Sequence, residues 1–227
     1  MTQIESLYLY FCAGLVAFTC VAYELLLGSY ATFLMGASIL QYSLVISLMM
    51  LSMGIGALLT RSLSKNSFAY FLAVETYLCW CAISAVPLMY ISFSLNFAPE
   101  KILILFVFLL GLGIGMEIPL LSQMNSSHNS LTKILFSDYI GGFVGGLAFP
   151  IILFPYLGFF QIGALLGLIN GLISLTFLWI FHRKIGKNIY AWALVISLTV
   201  VICLIELSFA EKLRLEMEKY YFAISTN

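Results

Sequence analysis

Seven long apolar runs decide most of what this chain can fold into. They lie near residues 7–34, 39–60, 68–92, 101–121, 135–157, 161–181 and 190–209. About 20 apolar residues cross a bilayer as a helix, because each advances about 1.5 Å through a hydrocarbon core about 30 Å thick. Backbone polar groups in that core must be bonded internally, which leaves only helices and closed barrels. The runs are continuous rather than alternating, and this excludes a barrel. The sequence therefore predicts an all-α integral membrane bundle of about seven transmembrane helices. Its 63% hydrophobic and 9% charged residues agree, since a soluble domain is about a quarter charged. The first run is longer than one span requires, which predicts a tilt or a break near Gly28.

Charge then narrows the reading. The formal net charge is zero and there is no basic block, so nucleic-acid binding has no electrostatic footprint. Met1 to Ser6 lack Lys and Arg, and the following run is too long for a cleaved secretory signal. Arg61, Lys65, Lys133, Arg183, Lys184 and Lys187 fall in connections on one side, against Lys101 on the other. The positive-inside rule puts the N-terminus in the cytoplasm of a cell (inner) membrane, and seven spans then put the tail outside. Two domains are predicted: a polytopic domain over 1–209 and a juxtamembrane amphipathic tail over 210–227. In that tail Leu213, Met217 and Tyr220 share a helical face, and Lys212–Glu216 and Arg214–Glu218 are i,i+4 pairs. Cys12, Cys20, Cys79, Cys81 and Cys203 all sit in apolar segments and read as buried reduced thiols.

Five of the ten acidic residues lie inside the apolar runs: Glu24, Glu75, Glu117, Asp138 and Glu206. No Lys or Arg does. A carboxylate in hydrocarbon costs at least about 2.5–3.5 kcal/mol on insertion scales, so such residues face a bundle interior or a wet cavity. These acids must be protonated, hydrated, bonded to neighbouring polar groups, or paired with a cation from outside the chain. Glu24, Glu117, Asp138 and Glu75 are the candidate ligand- or cation-binding residues. Glu24 and Glu117 are placed first, in a functional cavity. Asp138 and Glu206 lie nearer span ends, and Glu75 lacks a glycine or proline context. No metal site is predicted and no cofactor is expected. His128 and His182 fall in connections and read as solvated.

Lipid tails are as apolar as Leu, so membrane helices associate through close backbone packing at small residues. Gly141 with Gly145, Gly142 with Gly146, and the stripe Gly163, Gly167 and Gly171 are the expected packing positions. Pro119 removes the usual partner of the Gly115 carbonyl, with Glu117 between them, and Pro150 and Pro155 act likewise on Gly146 and Ile151. Freed carbonyls beside acids would make a cation-coordinating surface or mark simple kinks. Tyr23-Glu24-Leu25-Leu26 resembles Met116-Glu117-Ile118-Pro119, and the same shift lays Met53–Leu59 on the middle of the fifth run. A 3+3 inverted repeat plus one helix is the expectation, and that is a transporter theme.

Several motifs together resemble a known family. They are Gly115-Met116-Glu117-Ile118-Pro119-Leu120-Leu121, Asp138-Tyr139-Ile140-Gly141-Gly142, Gly145-Gly146-Leu147-Ala148-Phe149-Pro150 and Pro155-Tyr156-Leu157-Gly158. Tyr23-Glu24, Met53-Gly54-Ile55-Gly56 and Gly167-Leu168-Ile169-Asn170 fit the same pattern. The chain resembles, from about residue 7 to 209, the N-terminal membrane domain of the membrane-bound spermidine synthase-like proteins, the polyamine aminopropyltransferases. Members of that kind continue into a soluble catalytic domain with a Gly-rich donor-binding loop. Here only residues 210–227 follow the seventh run, and they contain no Gly. The chain thus reads as a fragment, a split gene product or a free-standing membrane domain.

No nucleophile–base pair, metal cluster or phosphate loop is visible, so this chain is not expected to be an enzyme by itself. The resemblance implies aminopropyltransferase activity only with a catalytic domain. Three functions remain open: a membrane anchor or regulator of polyamine biosynthesis that binds polyamine through its buried acids, a small cation or polyamine transporter, and a module that packs against a partner membrane protein. The expected partners are the lipid bilayer, a polyamine, and a soluble aminopropyltransferase domain or chain. Transport predicts that the acids converge on one path, and anchoring predicts that they scatter.

Overall fold

The computed structural model describes residues 2–125, 129–185 and 189–225, the side chains of 64, 65, 211, 213, 214 and 216–225 excepted. The elements are α1 (Gln3–Met35), α2 (Ser38–Leu59, continued by a 3₁₀ turn over Thr60–Asn66), α3 (Ser67–Ser94), α4 (Pro99–Met124), α5 (Ser130–Ala148), α6 (Phe159–Ile185) and α7 (Ile189–Ser225). Among the described residues seven helices are long and apolar enough to cross a membrane, and they coincide with the seven predicted runs. No strand occurs among the described residues.

Local sequence explains the helix ends. Thr2 caps α1 through a reciprocal box: its Oγ1 accepts from the Glu5 N–H at 3.2 Å, and Glu5 Oε2 accepts from the Thr2 N–H at 2.8 Å. Gly36 follows α1 at φ 72°, a left-handed conformation that costs glycine little. Pro99 opens α4 in the first turn, where a missing N–H is harmless. The expected break near Gly28 is absent, and α1 is continuous there. Gly28 serves instead to seat the Tyr42 ring, which a Cβ would meet at 2.6 Å. Pro87 and Pro119 lie inside α3 and α4 without ending them. Near Pro150, α5 relaxes into a π turn over Phe149–Leu153, with the Phe154 N–H donating to the Phe149 carbonyl, and a last turn over Phe154–Tyr156 follows.

Two glycine-lined crossings organise the bundle. In the first, α1 and α5 run parallel, with Gly141 against Gly14 and Gly145 against Phe18. In the second, α2 and α4 run parallel, with Gly111 against Ser52, Gly115 against Met53 and Gly56 against Leu112. A Cβ would lie 1.9 Å from the Gly14 carbonyl oxygen at Gly141, 2.1 Å from that of Met53 at Gly115 and 2.2 Å from that of Leu112 at Gly56. Gly142 and Gly146 sit to one side, where a Cβ would touch only Val21 at 3.5 and 3.6 Å. The Gly163, Gly167 and Gly171 stripe of α6 lies antiparallel against Ala82, Ile83 and Cys79 of α3. Most of the hydrophobic core comes from α1, α3, α4 and α6, while α2, α5 and α7 present large apolar side chains outward.

One end of the bundle gathers polar contacts. Lys184 at the end of α6 pairs with Glu5 of α1 at 3.1 Å. Ser67 donates to Gln123 at 2.8 Å, joining the start of α3 to the end of α4. Asn125 donates to the Tyr10 hydroxyl at 3.1 Å, and Lys133 lies over the Tyr10 ring. Lys133 and Lys184 therefore meet at the end where α1 begins. At the other terminus α7 is helical through Ser225. The side chains of Leu213, Met217 and Tyr220 lie outside the described residues.

Candidate functional site

The consecutive helices α3 and α4 pack antiparallel. Gly113, one turn before Glu117, lets Leu78 and Tyr77 approach so closely that a Cβ would lie 2.7 Å from Leu78 Cδ2. That proximity brings Glu117 of α4 to Glu75 of α3. Glu75 is 0% exposed and Glu117 1% exposed. The two carboxyls lie within side-chain hydrogen-bonding reach of each other. Both oxygens of Glu75 and Oε2 of Glu117 find no donor among the described groups.

Other buried polar groups converge here. Tyr23 of α1 lies within electrostatic reach of both acids, and its hydroxyl accepts from Asn170 Nδ2 of α6 at 3.2 Å. Asn170 Oδ1 and Ser174 Oγ, one turn further along α6, are buried without partners. Cys12, three turns before Tyr23 and so roughly 16 Å away along α1, also senses Glu75 and Glu117. Its thiol lies near the Tyr8 side chain. The Tyr8 hydroxyl lies 2.6 Å from Thr176 Oγ1 and 3.3 Å from the Ile173 carbonyl. Cys12, Tyr8 and Thr176 thus lie toward the end of the bundle that holds Glu5 and Lys184.

A cluster rich in acceptors and poor in donors, walled by apolar side chains, favours a proton or a cation. Two carboxylates this close cannot both remain charged without one. Among the described residues no group of three or more His, Cys, Asp or Glu could hold a metal ion.

The structure pairs Glu117 with Glu75, not with Glu24. Glu24 follows Tyr23 by one residue, about 100° round the helix. Tyr23 points into the bundle at 1% exposure while Glu24 is half-buried toward its side. Equivalence in a repeat gives two residues matching roles, not a shared place. Asp138 is half-buried one turn before Gly141, and its charge acts on Glu117 without joining the pair. Glu206 is half-buried on α7. The acids therefore neither all converge nor all scatter. His182 is exposed in the last turn of α6, its Nδ1 2.9 Å from the Trp179 carbonyl, and His128 lies outside the described residues. The five cysteines are free, with Cys79 and Cys203 3.4 Å apart between α3 and α7. A shallow surface groove of about 780 Å³ on α2, lined by Ser43, Leu44 and Ser47 among others, contains none of the acids.

Glu75 has no Gly or Pro beside it in the sequence to mark it, and Ser174 has no acidic residue beside it. A signal was present: Glu75 and Cys79 stand i,i+4, on the face of α3 that meets the α6 glycine stripe.

No protein-family model and no solved structure matches the chain. Curated relatives do. A polyamine aminopropyltransferase of Oceanobacillus iheyensis is 29% identical over 225 residues, which is 95% of this chain and 43% of that protein. Polyamine aminopropyltransferase 2 of Ralstonia nicotianae is 33% identical over 74% of this chain and 34% of its own length. Polyamine aminopropyltransferase 2 of Streptomyces coelicolor is 31% identical over 83% of this chain and 37% of its own length. The chain spans about a third to two-fifths of the length of the curated relatives it matches. Its homologues are thus proteins named polyamine aminopropyltransferase, to part of each of which it corresponds.

Proposed function

We propose that this chain is the membrane domain of a polyamine aminopropyltransferase. It sits in the cell (inner) membrane, anchors or regulates polyamine synthesis, and binds a polyamine amine through Glu75 and Glu117. One observation carries this reading: two carboxyls are buried together at the meeting of α1, α3 and α4, and no cation among the described residues reaches them. The names of the relatives supply the class of amine. The catalytic partner is a soluble aminopropyltransferase domain or chain. The polytopic part covers 1–209, and residues 210–227 serve as a juxtamembrane tail, which continues α7 as far as Ser225.

An inverted 3+3 repeat, α1–α3 and α4–α6 followed by α7, fits the packing. The shift that carries Glu24 onto Glu117 also carries the Phe18–Gly145 approach onto Gly111–Ser52, a contact the other crossing makes. Its two parallel crossings, α1 with α5 and α4 with α2, are the pairs a two-fold relation between halves would interchange. That relation favours a second reading, a small cation or polyamine transporter.

Spermidine uptake into proteoliposomes separates the two. The anchor reading expects saturable binding without accumulation. Accumulation lost in Glu117→Gln would establish transport instead. Failure of the wild-type chain to bind spermidine at all would refute the site.

A further inference from the structure

The surroundings of the acid pair set a condition on its charge. From α1, Tyr8, Cys12, Cys20 and Tyr23 face it or act on it electrically. From α5, Asp138 does so. On α3, Cys79 stands one turn from Glu75, with Cys203 of α7 against it. The interiors of α2 and α6 add no acid, base or thiol, apart from Tyr42 beside Gly28. None of these groups carries a positive charge. Without an external cation, the pair is neutral only when each carboxyl holds a proton.

A second observation shows that the site offers more than a carboxylic acid dimer uses. Asn170 Oδ1 is fully buried and unpartnered on the side chain that donates to Tyr23, and Ser174 Oγ is buried and unpartnered one turn along α6. An alkylammonium presents three N–H donors, which two carboxyls and one amide oxygen would satisfy.

We propose that Glu75 and Glu117 form a proton-for-ammonium exchange site, in which one proton leaves for each positive charge that a bound amine brings. The inference rests on the polyamine-site reading and specifies its chemistry. The amine arrives as R–NH3⁺. A carboxyl O–H bond breaks, its electron pair stays on the oxygen, and the resulting carboxylate accepts from the ammonium. The proton leaves toward the Glu5–Lys184 end, the side of the pair on which Cys12, Tyr8 and Thr176 lie. The membrane interior thus holds no net charge before or after binding.

The test is calorimetry of spermidine binding to the full chain in nanodiscs, run in buffers of different ionisation enthalpy. The expected binding heat varies with the buffer, reporting about one proton released per ammonium group neutralised. Binding heat that is the same in every buffer would overturn the exchange and leave the polyamine site standing. Absence of binding would overturn the site and the exchange together. Infrared spectra of the ligand-free wild type test the proton separately. A protonated-carboxyl C=O band, shifted by D2O and reduced in Glu75→Gln and in Glu117→Gln, is expected. Its absence from the wild type would overturn the protonated pair without reliance on the folding of any variant.

Discussion

Replacing Gly141 with Ala is the sharpest perturbation of the fold. The new Cβ would stand 1.9 Å from the Gly14 carbonyl oxygen and 2.6 Å from its carbonyl carbon. The shortest ordinary carbon–oxygen approach is about 3.3 Å, so α1 and α5 would have to separate by about 1.4 Å. Both partners are helix backbone, and no side chain can swing aside. Overpacking of this kind costs about 1–3 kcal/mol. Ala favours a helix over Gly by about 1 kcal/mol, which offsets part of that. The contact sits at the centre of the crossing, and separating the helices also loosens Gly145 against Phe18, so a net loss of about 1–2 kcal/mol is expected. Gly142→Ala lies one residue away, and its Cβ would touch Val21 at 3.5 Å. That variant should be neutral, or more stable by up to about 1 kcal/mol. Thermal unfolding in detergent, read by tryptophan fluorescence and size-exclusion recovery, compares the two. Equal effects at Gly141 and Gly142, or a stabilised Gly141→Ala, would refute the crossing.

Other consequences follow from single contacts. Gly28→Ala would drive a Cβ to 2.6 Å from the Tyr42 ring and disturb the Ser29–Tyr42 hydrogen bond, so a loss of about 1 kcal/mol in the same assay is expected. Tyr23→Phe leaves Asn170 without its one partner and should cost about 1–3 kcal/mol, whereas Lys184→Ala, which breaks a partly exposed ion pair, should cost under about 1 kcal/mol. The orientation is testable by labelling. A cysteine introduced as Glu5→Cys in a chain otherwise free of cysteine should resist a membrane-impermeant maleimide in intact cells and react in inverted vesicles, and the opposite pattern would reverse the topology.

Much of the fold was legible because its cause is one-dimensional. Length and apolarity alone set the seven helices, and the spacing of Gly141 and Gly145 marked a crossing without naming its partner. What sequence could not supply was direction round each helix. Glu24 and Glu75 look alike in sequence, each an acid amid apolar neighbours. One turns to the side of α1 and the other into the centre, because Tyr23 and Cys79 take part in different packings. Gly28 read as a weak point and proved to be a seat for a ring. Gly142 and Gly146 matched the small-residue pattern as well as Gly141 and Gly145, yet only the latter pair meets backbone. The pairing of Glu75 with Glu117 depended on Gly113, whose role appears only once α3 and α4 are side by side.

Equilibrium binding of labelled spermidine to the chain in nanodiscs, with wild type beside Glu117→Gln, Glu75→Gln and Glu24→Gln, decides whether the buried pair holds the amine. Saturable binding is expected, lost in Glu117→Gln and Glu75→Gln and kept in Glu24→Gln. Binding that survives both substitutions in the pair, or that depends on Glu24 alone, would contradict the paired site.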